Sequence, residues 1–455
     1  MPHTSAQTAL AQETIYALSS GALPSGVAVI RLSGSRAGKI LRALVNGRMP
    51  VSRESVLKKI YDPADGSVLD HALVLWFEGP NSFTGEDTVE LHCHGGRAVV
   101  AAVLECLGRF EGCRPAEQGE FTRRAFHNNK LDLTEVEGLA DLIDAETDAQ
   151  RRQAQRQMSG ALGVLYEGWR ETLVRCRAFI EAELDFPDEE DVPDSVAAEV
   201  WERVARLIGE IEAHLADARR GERLRSGLQV VLLGAPNAGK SSLMNQLAKR
   251  DVAIVTPEAG TTRDVLEVHL DLAGYPVTLV DTAGLRETEG LVEQEGIRRA
   301  LQHAQGADLV LWSVAPDLQE QALPDGIGSS GQVWQLHTKA DMEKGGYPSD
   351  PRVEKTISCS VNAERGMDEL LGALEEFAQQ SIGLLENPVI TRERYRVALQ
   401  QCLRDLKRAR DAAHMPIELR SEDLRLASHQ LGRITGRIDV EDLLDVIFHD
   451  FCIGK

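Results

Sequence analysis

The sequence predicts a multidomain chain of α/β plus α class. It should hold a small α/β amino-terminal domain, a helical domain formed from two segments, and an inserted α/β domain on a parallel sheet. Three observations predict this. Residues 1–130 mix strand-like alternation with one helical run. From about 228 to 382, strand and helix patterns alternate behind a glycine-rich loop. Both flanks of that stretch are helical in texture. One helical domain interrupted by an insertion accounts for the order, since hosts tolerate insertions where their two connection points lie close together. The expected boundaries are 1–130, 131–226, 227–383 and 384–455.

The elements follow in chain order. "SGVAVIRLSG" (25–34) and "HALVLWFEG" (71–79) alternate as strands, and "GRAVVAAVLECLGRF" (96–110) has helical spacing. From Lys130 a helical run with almost no breakers extends to Pro187, and a second helix covers roughly 195–219. "RRGERLRSG" (219–227) reads as a polar, basic linker. After "ENPVITRERY" the chain returns to helix over 391–451.

Composition narrows the functional classes. Against 71 acids stand 50 basic residues, a formal charge of −21, so the chain does not attract nucleic acid by its overall field. An RNA partner would need local basic patches or a second protein. The basic clusters "RRQAQRQ" (151–157) and "LRDLKRARD" (403–411) read first as solvated helix faces. Seven cysteines, at 93, 106, 113, 176, 359, 402 and 452, form no CxxC pair, and their odd number argues against a disulfide framework. A cytoplasmic location is expected. No apolar run reaches membrane-spanning length, and the start lacks a secretory signal's basic and apolar regions.

The chemistry is concentrated in the inserted domain. "LQVVLLGAPNAGKSS" (228–242) places Gly234-x4-Gly239-Lys240-Ser241 between a strand and a helix, the context a P-loop requires. Backbone N–H groups of Asn237, Ala238, Gly239 and the residues through Ser242 would face phosphates at a helix N-terminus. Lys240 should reach the β- and γ-phosphates and Ser241 should ligate Mg²⁺. "AGTTRD" (259–264) offers a threonine to complete the Mg²⁺ shell. Asp281-Thr282-Ala283-Gly284 ends a strand where an acid holds Mg²⁺ through water and a glycine N–H senses the γ-phosphate. Lys339 and Asp341 are spaced to cover a guanine ring and to accept from its N1–H and N2–H. "SCSVNAERGMDEL" (358–370) stands where the base-edge loop belongs.

Five elements in this order resemble the translation-factor-like GTPases, with GTP as ligand. Two positions depart from the usual pattern: Thr338 stands for asparagine, and Ser360-Val361 for Ser-Ala. Threonine can still hydrogen-bond to the P-loop. At the position where Ras-like proteins carry a water-orienting glutamine stands Leu285, so either hydrolysis is vestigial or the attacking water is positioned from elsewhere. Asn237 with the long switch "AIVTPEAGTTRD" has the makings of a monovalent-cation site.

Taken with "GPNSFTGEDTVELHCHGG" near the amino terminus, "DTAGLRET…VEQEGI" and the terminal "CIGK", the chain resembles the MnmE (TrmE) family of tRNA-modification GTPases over essentially its whole length. The resemblance implies a homodimer joined by its amino-terminal domain, which binds 5-formyl-tetrahydrofolate or a related one-carbon folate. It also implies an FAD-containing partner, MnmG. The pair would install an aminomethyl or carboxymethylaminomethyl group on C5 of the wobble uridine of certain tRNAs. Potassium-dependent pairing of the GTPase domains would stimulate hydrolysis. On the matching positions, Asn237, Thr256, Glu258 and Thr261 would hold K⁺, Thr262 would hold Mg²⁺, and Glu293 would orient water. Arg31, Glu90 and Lys130 would contact the folate, with Lys455 of the terminal tetrad. An RNA- or ribosome-binding regulatory GTPase without one-carbon chemistry is the alternative reading.

Two stretches allow simpler readings. His92-Cys93-His94 lies on a strand, whose alternation keeps the three side chains from one metal ion. In the tail, Gly454 reads as the left-handed stop of a helix carrying Leu443, Ile447 and Phe451 in one apolar stripe, with Leu444 and Phe448 beside it. Asp439 and Asp442 would cap that helix's start. The functional reading adds a presented thiol at Cys452 as a catalytic group.

Overall fold

The computed structural model describes residues 13–185, 195–250, 252–254, 266–281, 301–318, 321–328, 331–342, 347–383, 388–438, 441–449, 451, 453 and 454. They divide into two compact units. One comprises Met1–Ala140, Gly163–Glu167 and Gly432–Lys455; the other comprises Asp141–Leu162 and Gly168–Leu431.

In the first unit, β1 (Thr14–Leu18), β2 (Ser25–Ser33), α1 (Ala37–Leu44), β3 (Val56–Tyr61), β4 (Val68–Phe77), β5 (Thr88–Gly95), α2 (Arg97–Gly108), β6 (Cys113–Pro115) and α3 (Glu120–His127) follow in order. The six strands form one sheet, β3-β4-β5-β2-β1-β6, antiparallel except where β1 meets β6. The alternation read in "SGVAVIRLSG" is realised: Ala28, Ile30 and Leu32 are wholly buried against Leu41, Leu44, Val103 and Leu107 of α1 and α2. Ile30 and Leu32 contribute about 1.5–3 kcal/mol each by their burial, and Ala28 less.

The helical run after Lys130 is not continuous. It comprises α4 (Leu133–Ile143), α5 (Asp148–Met158) and α6 (Ala161–Asp185). Thr147 caps α5 reciprocally with Gln150, and this capping box starts a new helix where the sequence showed no glycine or proline. The next break is a turn at Ser159 and Gly160.

After α7 (Ser195–Ala216), the stretch read as a basic linker is a helix, α8 (Ala218–Ser226). Its charges are held by distant partners: Arg220 Nε donates to the Ile382 carbonyl, Arg223 Nε to Asp308, and Arg225 Nε to Asp141. Ala218, Gly221 and Leu224 form its buried side.

The inserted domain runs β7 (Leu228–Leu233), α9 (Lys240–Leu247), β8 (Leu266–Leu272), β9 (Tyr275–Asp281), β10 (Leu309–Val314), β11 (Gln332–His337), β12 (Lys355–Ser358) and α10 (Met367–Ile382). Its sheet order is β12-β11-β10-β7-β9-β8, parallel except for β8 against β9. Because β7 lies between β10 and β9, the loop after it opens at the switch in strand order, where doubly wound sheets bind ligands.

The closing helices are α11 (Glu393–Asp411), α12 (Ile417–Thr435) and α13 (Glu441–His449). Leu444, Phe448 and Phe451 bury themselves against Leu133 and Val136, with Ile447 at the margin. Asp439 lies outside the described residues. Gly454 is not the stop of α13, which ends at His449. At φ +99, Gly454 lies against β1, where a Cβ would come 2.4 Å from the Leu18 carbonyl oxygen. Its own carbonyl accepts from Ser19 Oγ at 2.9 Å, and Ile453 bridges to Gln118. Close approach, not helix capping, is what requires glycine there.

Candidate nucleotide and amino-terminal sites

The phosphate loop follows β7 directly. A Cβ on Gly234 would lie 2.3 Å from the Ser313 carbonyl oxygen, so the first loop glycine permits the backbone to pass β10. Asn237 is exposed with φ +63, and Lys240 is buried, its Nζ 2.9 Å from both the Gly234 and Ala235 carbonyl oxygens. The ammonium is thus held at the crown of the loop. Ser241 Oγ donates to Asp281 Oδ2 at 2.9 Å, and Asp281 is wholly buried at the end of β9. A hydroxyl beside a carboxylate is an oxygen set suited to Mg²⁺, which takes few protein ligands and completes its shell with water and substrate phosphates.

The base frame is anchored at three points. Thr338 Oγ1 lies 2.6 Å from the Ala238 carbonyl oxygen and 2.9 Å from that of Val314, its single proton serving both. The departure from asparagine therefore keeps the tie between base frame and P-loop. Lys339, at φ +51, has its Nζ 2.6 Å from Asp317 Oδ2, and this contact holds the Asp317 carboxyl below its ordinary pKa. Asp341 Oδ1 accepts from Ser360 Oγ at 2.5 Å, and that bond lowers the Asp341 pKa as well. Ser360 is buried; its backbone pairs with Arg365 and its Oγ accepts from Ala363 N. Gly239, Thr338, Lys339, Asp341, Ser360 and Val361 line one pocket of about 110 Å³. Ser242 borders the same space.

Sequence reading passed over two residues here. Asp317 carries no motif, being recognisable only by the lysine it meets. Tyr347 stacks on His337 at 3.6 Å between ring centroids, behind the base frame. Thr256, Glu258, Thr261, Thr262, Thr282, Ala283, Gly284, Leu285, Glu293, Cys452 and Lys455 lie outside the described residues.

In the amino-terminal unit, Arg31 and Glu90 face each other across β2 and β5. Arg31 Nε donates to Glu90 Oε1 at 3.0 Å, and its guanidinium lies 5.9 Å from the Phe83 ring and 5.8 Å from the Phe121 ring. Arg31 is therefore already neutralised by Glu90, and a ligand carboxylate there has to compete with that pair. Lys130 is exposed, its stem against Gly85 of the "NSFTGED" loop. The His-Cys-His stretch diverges as strand alternation requires: Cys93 is in the core, His92 meets Glu90 and His94 meets Asp70.

A network absent from the sequence reading pins that loop. Glu86 accepts from Ser33 Oγ at 2.7 Å and from Arg124 NH1 at 3.0 Å, while Arg124 NH2 donates to Glu120 at 3.0 Å. Arg114 makes a two-pronged pair with both Glu120 oxygens, 2.8 Å in each contact, sharing Oε1 with Arg124. Burial pushes the Glu120 carboxyl up, but Arg114, the Glu117 N–H and Arg124 outweigh it, and its pKa is lowered.

With this geometry in hand, comparison with known proteins is decisive. Residues 14–130 match the family described as the GTP-binding protein TrmE N-terminus, and residues 133–452 match the MnmE helical domain. The chain belongs to the MnmE (TrmE) family of tRNA-modification GTPases. Among curated MnmE proteins, the "tRNA modification GTPase MnmE" of Parvibaculum lavamentivorans is 54% identical, covering 97% of this chain and 100% of that one. The protein of the same description from Bradyrhizobium sp. strain ORS 278 is 52% identical, covering 97% and 99%. That from Brucella anthropi is 51% identical, covering 98% of each. The MnmE match runs through the amino-terminal sheet, the nucleotide domain and the closing helices alike. Among the described residues, no helix is long and apolar enough to cross a membrane.

Proposed function

We propose that this chain is a K⁺-activated, Mg²⁺-dependent GTPase that acts in the cytoplasm as a homodimer. With an FAD-containing MnmG partner, it adds an aminomethyl or carboxymethylaminomethyl group to C5 of the wobble uridine of certain tRNAs. The observation that carries the reading is identity above 50% along nearly the whole chain to proteins described as tRNA modification GTPases. The nucleotide site supports it in chemical terms. Lys240, its Nζ held by the Gly234 and Ala235 carbonyls, would reach the β- and γ-phosphates, and Asp341, aimed by Ser360, would accept from the two N–H groups that distinguish guanine.

Bound Mg²⁺ would be held by Ser241 and, through water, by Asp281, with Thr262 added from the switch. It supplies charge neutralisation on the phosphates. Bound K⁺ would take Asn237, Thr256, Glu258 and Thr261. Glu293 is assigned the water-orienting task that Leu285 cannot perform. Arg31, Glu90, Lys130 and Lys455 are assigned to 5-formyl-tetrahydrofolate, with Lys130 as the exposed cation for its carboxylates. Cys452 is assigned to the modification chemistry. The domain boundaries proposed are those at 130, 226 and 383.

Nucleoside analysis of tRNA from cells lacking this protein tests the reading. Loss of the modified wobble uridine, restored by the native gene, supports it. An unchanged nucleoside profile refutes it.

A further inference from the structure

The chain enters the nucleotide domain through α8 and leaves it through residues 388–392, ahead of α11. A domain joined by two crossings swings freely unless the crossings are tied to its host. Both are tied to one carboxylate. Asp141 Oδ1, on α4, accepts from Arg225 Nε at 2.8 Å and from Arg392 NH2 at 2.6 Å. Arg225 is three residues before β7, and Arg392 is the N-cap residue of α11. The Asp141 side chain is 12% exposed and that of Arg392 18%, so solvent screens this pair less than a surface pair, while Arg225, 40% exposed, is the wetter partner.

Helix α5 holds the same two strands of chain a second time. Gln150 Nε2 donates to the Arg225 carbonyl at 2.9 Å, and Gln157 Oε1 accepts from Thr391 Oγ1 at 2.9 Å. Positions 150 and 157 lie two helical turns apart on one face.

We infer that Asp141 is a positioning residue that clamps the entry and exit of the nucleotide domain together and fixes that domain's orientation on the helical body. It does not line the nucleotide pocket. Without its charge, the acceptor shared by Arg225 and Arg392 is weakened, and the contacts that remain, Gln150 with Arg225, Gln157 with Thr391 and Glu222 with Arg396, hold the crossings less tightly. Nucleotide affinity is local to the P-loop and base frame and stays as it is. Work done in the nucleotide domain no longer reaches the rest of the chain. Only this last step rests on the proposed function.

The test uses the full chain with Asp141→Asn and Asp141→Glu. Paired spin labels at Glu354→Cys and Arg404→Cys, in a Cys452→Ser background, report the distance from nucleotide domain to helical body. Nucleotide affinity and tRNA modification are read in unlabelled chains with Cys452 intact. The expected result for Asp141→Asn is a distance distribution at least twice as broad as native, GDP affinity within twofold, and tRNA modification reduced at least tenfold. Asp141→Glu should restore the narrow distribution. A folded Asp141→Asn chain with the native distribution overturns the inference. So does a variant that loses GDP affinity and thermal stability together, which marks Asp141 as a folding residue. If the native chain modifies no tRNA, the proposed function fails, while the distances still decide the clamp.

Discussion

Removing one hydroxyl, in Ser360→Ala, isolates the aim of Asp341 from its identity. In the native protein Ser360 Oγ donates to Asp341 Oδ1 at 2.5 Å and is itself fixed by the Ala363 N–H. A hydrogen bond to a charged group is stronger than one between neutral groups, so its loss is felt in binding. Asp341 is exposed, so water replaces part of that bond when the hydroxyl goes. The expectation is therefore a modest loss, GDP binding weaker by about tenfold, read by titration with a fluorescent guanine nucleotide. Acid sensitivity should change as well. The Asp341 pKa is held below its ordinary 3.8, chiefly by Ser360, so the carboxylate's contribution is complete above 3.8 and fades as pH falls through the lowered value. Without Ser360 the folded value rises toward 3.8, and guanine affinity fails at higher pH than in native protein. Unchanged affinity with an unchanged acid limb would refute the claim that Ser360 aims the base-reading carboxylate.

Other outcomes follow from the same structure. Arg124→Ala leaves Glu86 without its buried guanidinium, and breaking such a pair costs about 3–5 kcal/mol, read as a lower urea midpoint for the amino-terminal unit. Gly454→Val drives a side chain into the Leu18 carbonyl and should displace the tail. tRNA modification should then fall while GTP hydrolysis persists; loss of both would mean that the tail supports the whole fold. GTP turnover should rise sharply in K⁺ relative to Na⁺, and equal rates would remove Asn237 from any cation site.

Much of the nucleotide site was legible because its backbone demands are local. Gly234, Lys240 and Ser241 must follow a strand at fixed spacing, and Asp281 must end the neighbouring strand. Strands such as Ser25–Ser33 were legible from alternation alone. Features made by distant partners were not. Arginine-rich α8 looked like a linker because its acids, Asp141 and Asp308, lie 84 and 85 residues away. Gly454 looked like a helix stop because the strand it meets lies at the other end of the chain. The break before α5 was readable in principle, since Thr147 and Gln150 stand at capping-box spacing. Asp317 and the Glu86–Arg124 pair had no such signal.

The central claim is that GTP hydrolysis by this chain drives tRNA wobble-uridine modification. Its most direct test combines purified chain, the FAD-containing partner, one-carbon folate, an amine donor and unmodified tRNA in K⁺ and Mg²⁺, with tRNA nucleosides measured by mass spectrometry. The account predicts modified uridine with GTP and almost none with a non-hydrolysable analogue. Equal modification with the analogue, or none with GTP, would contradict it.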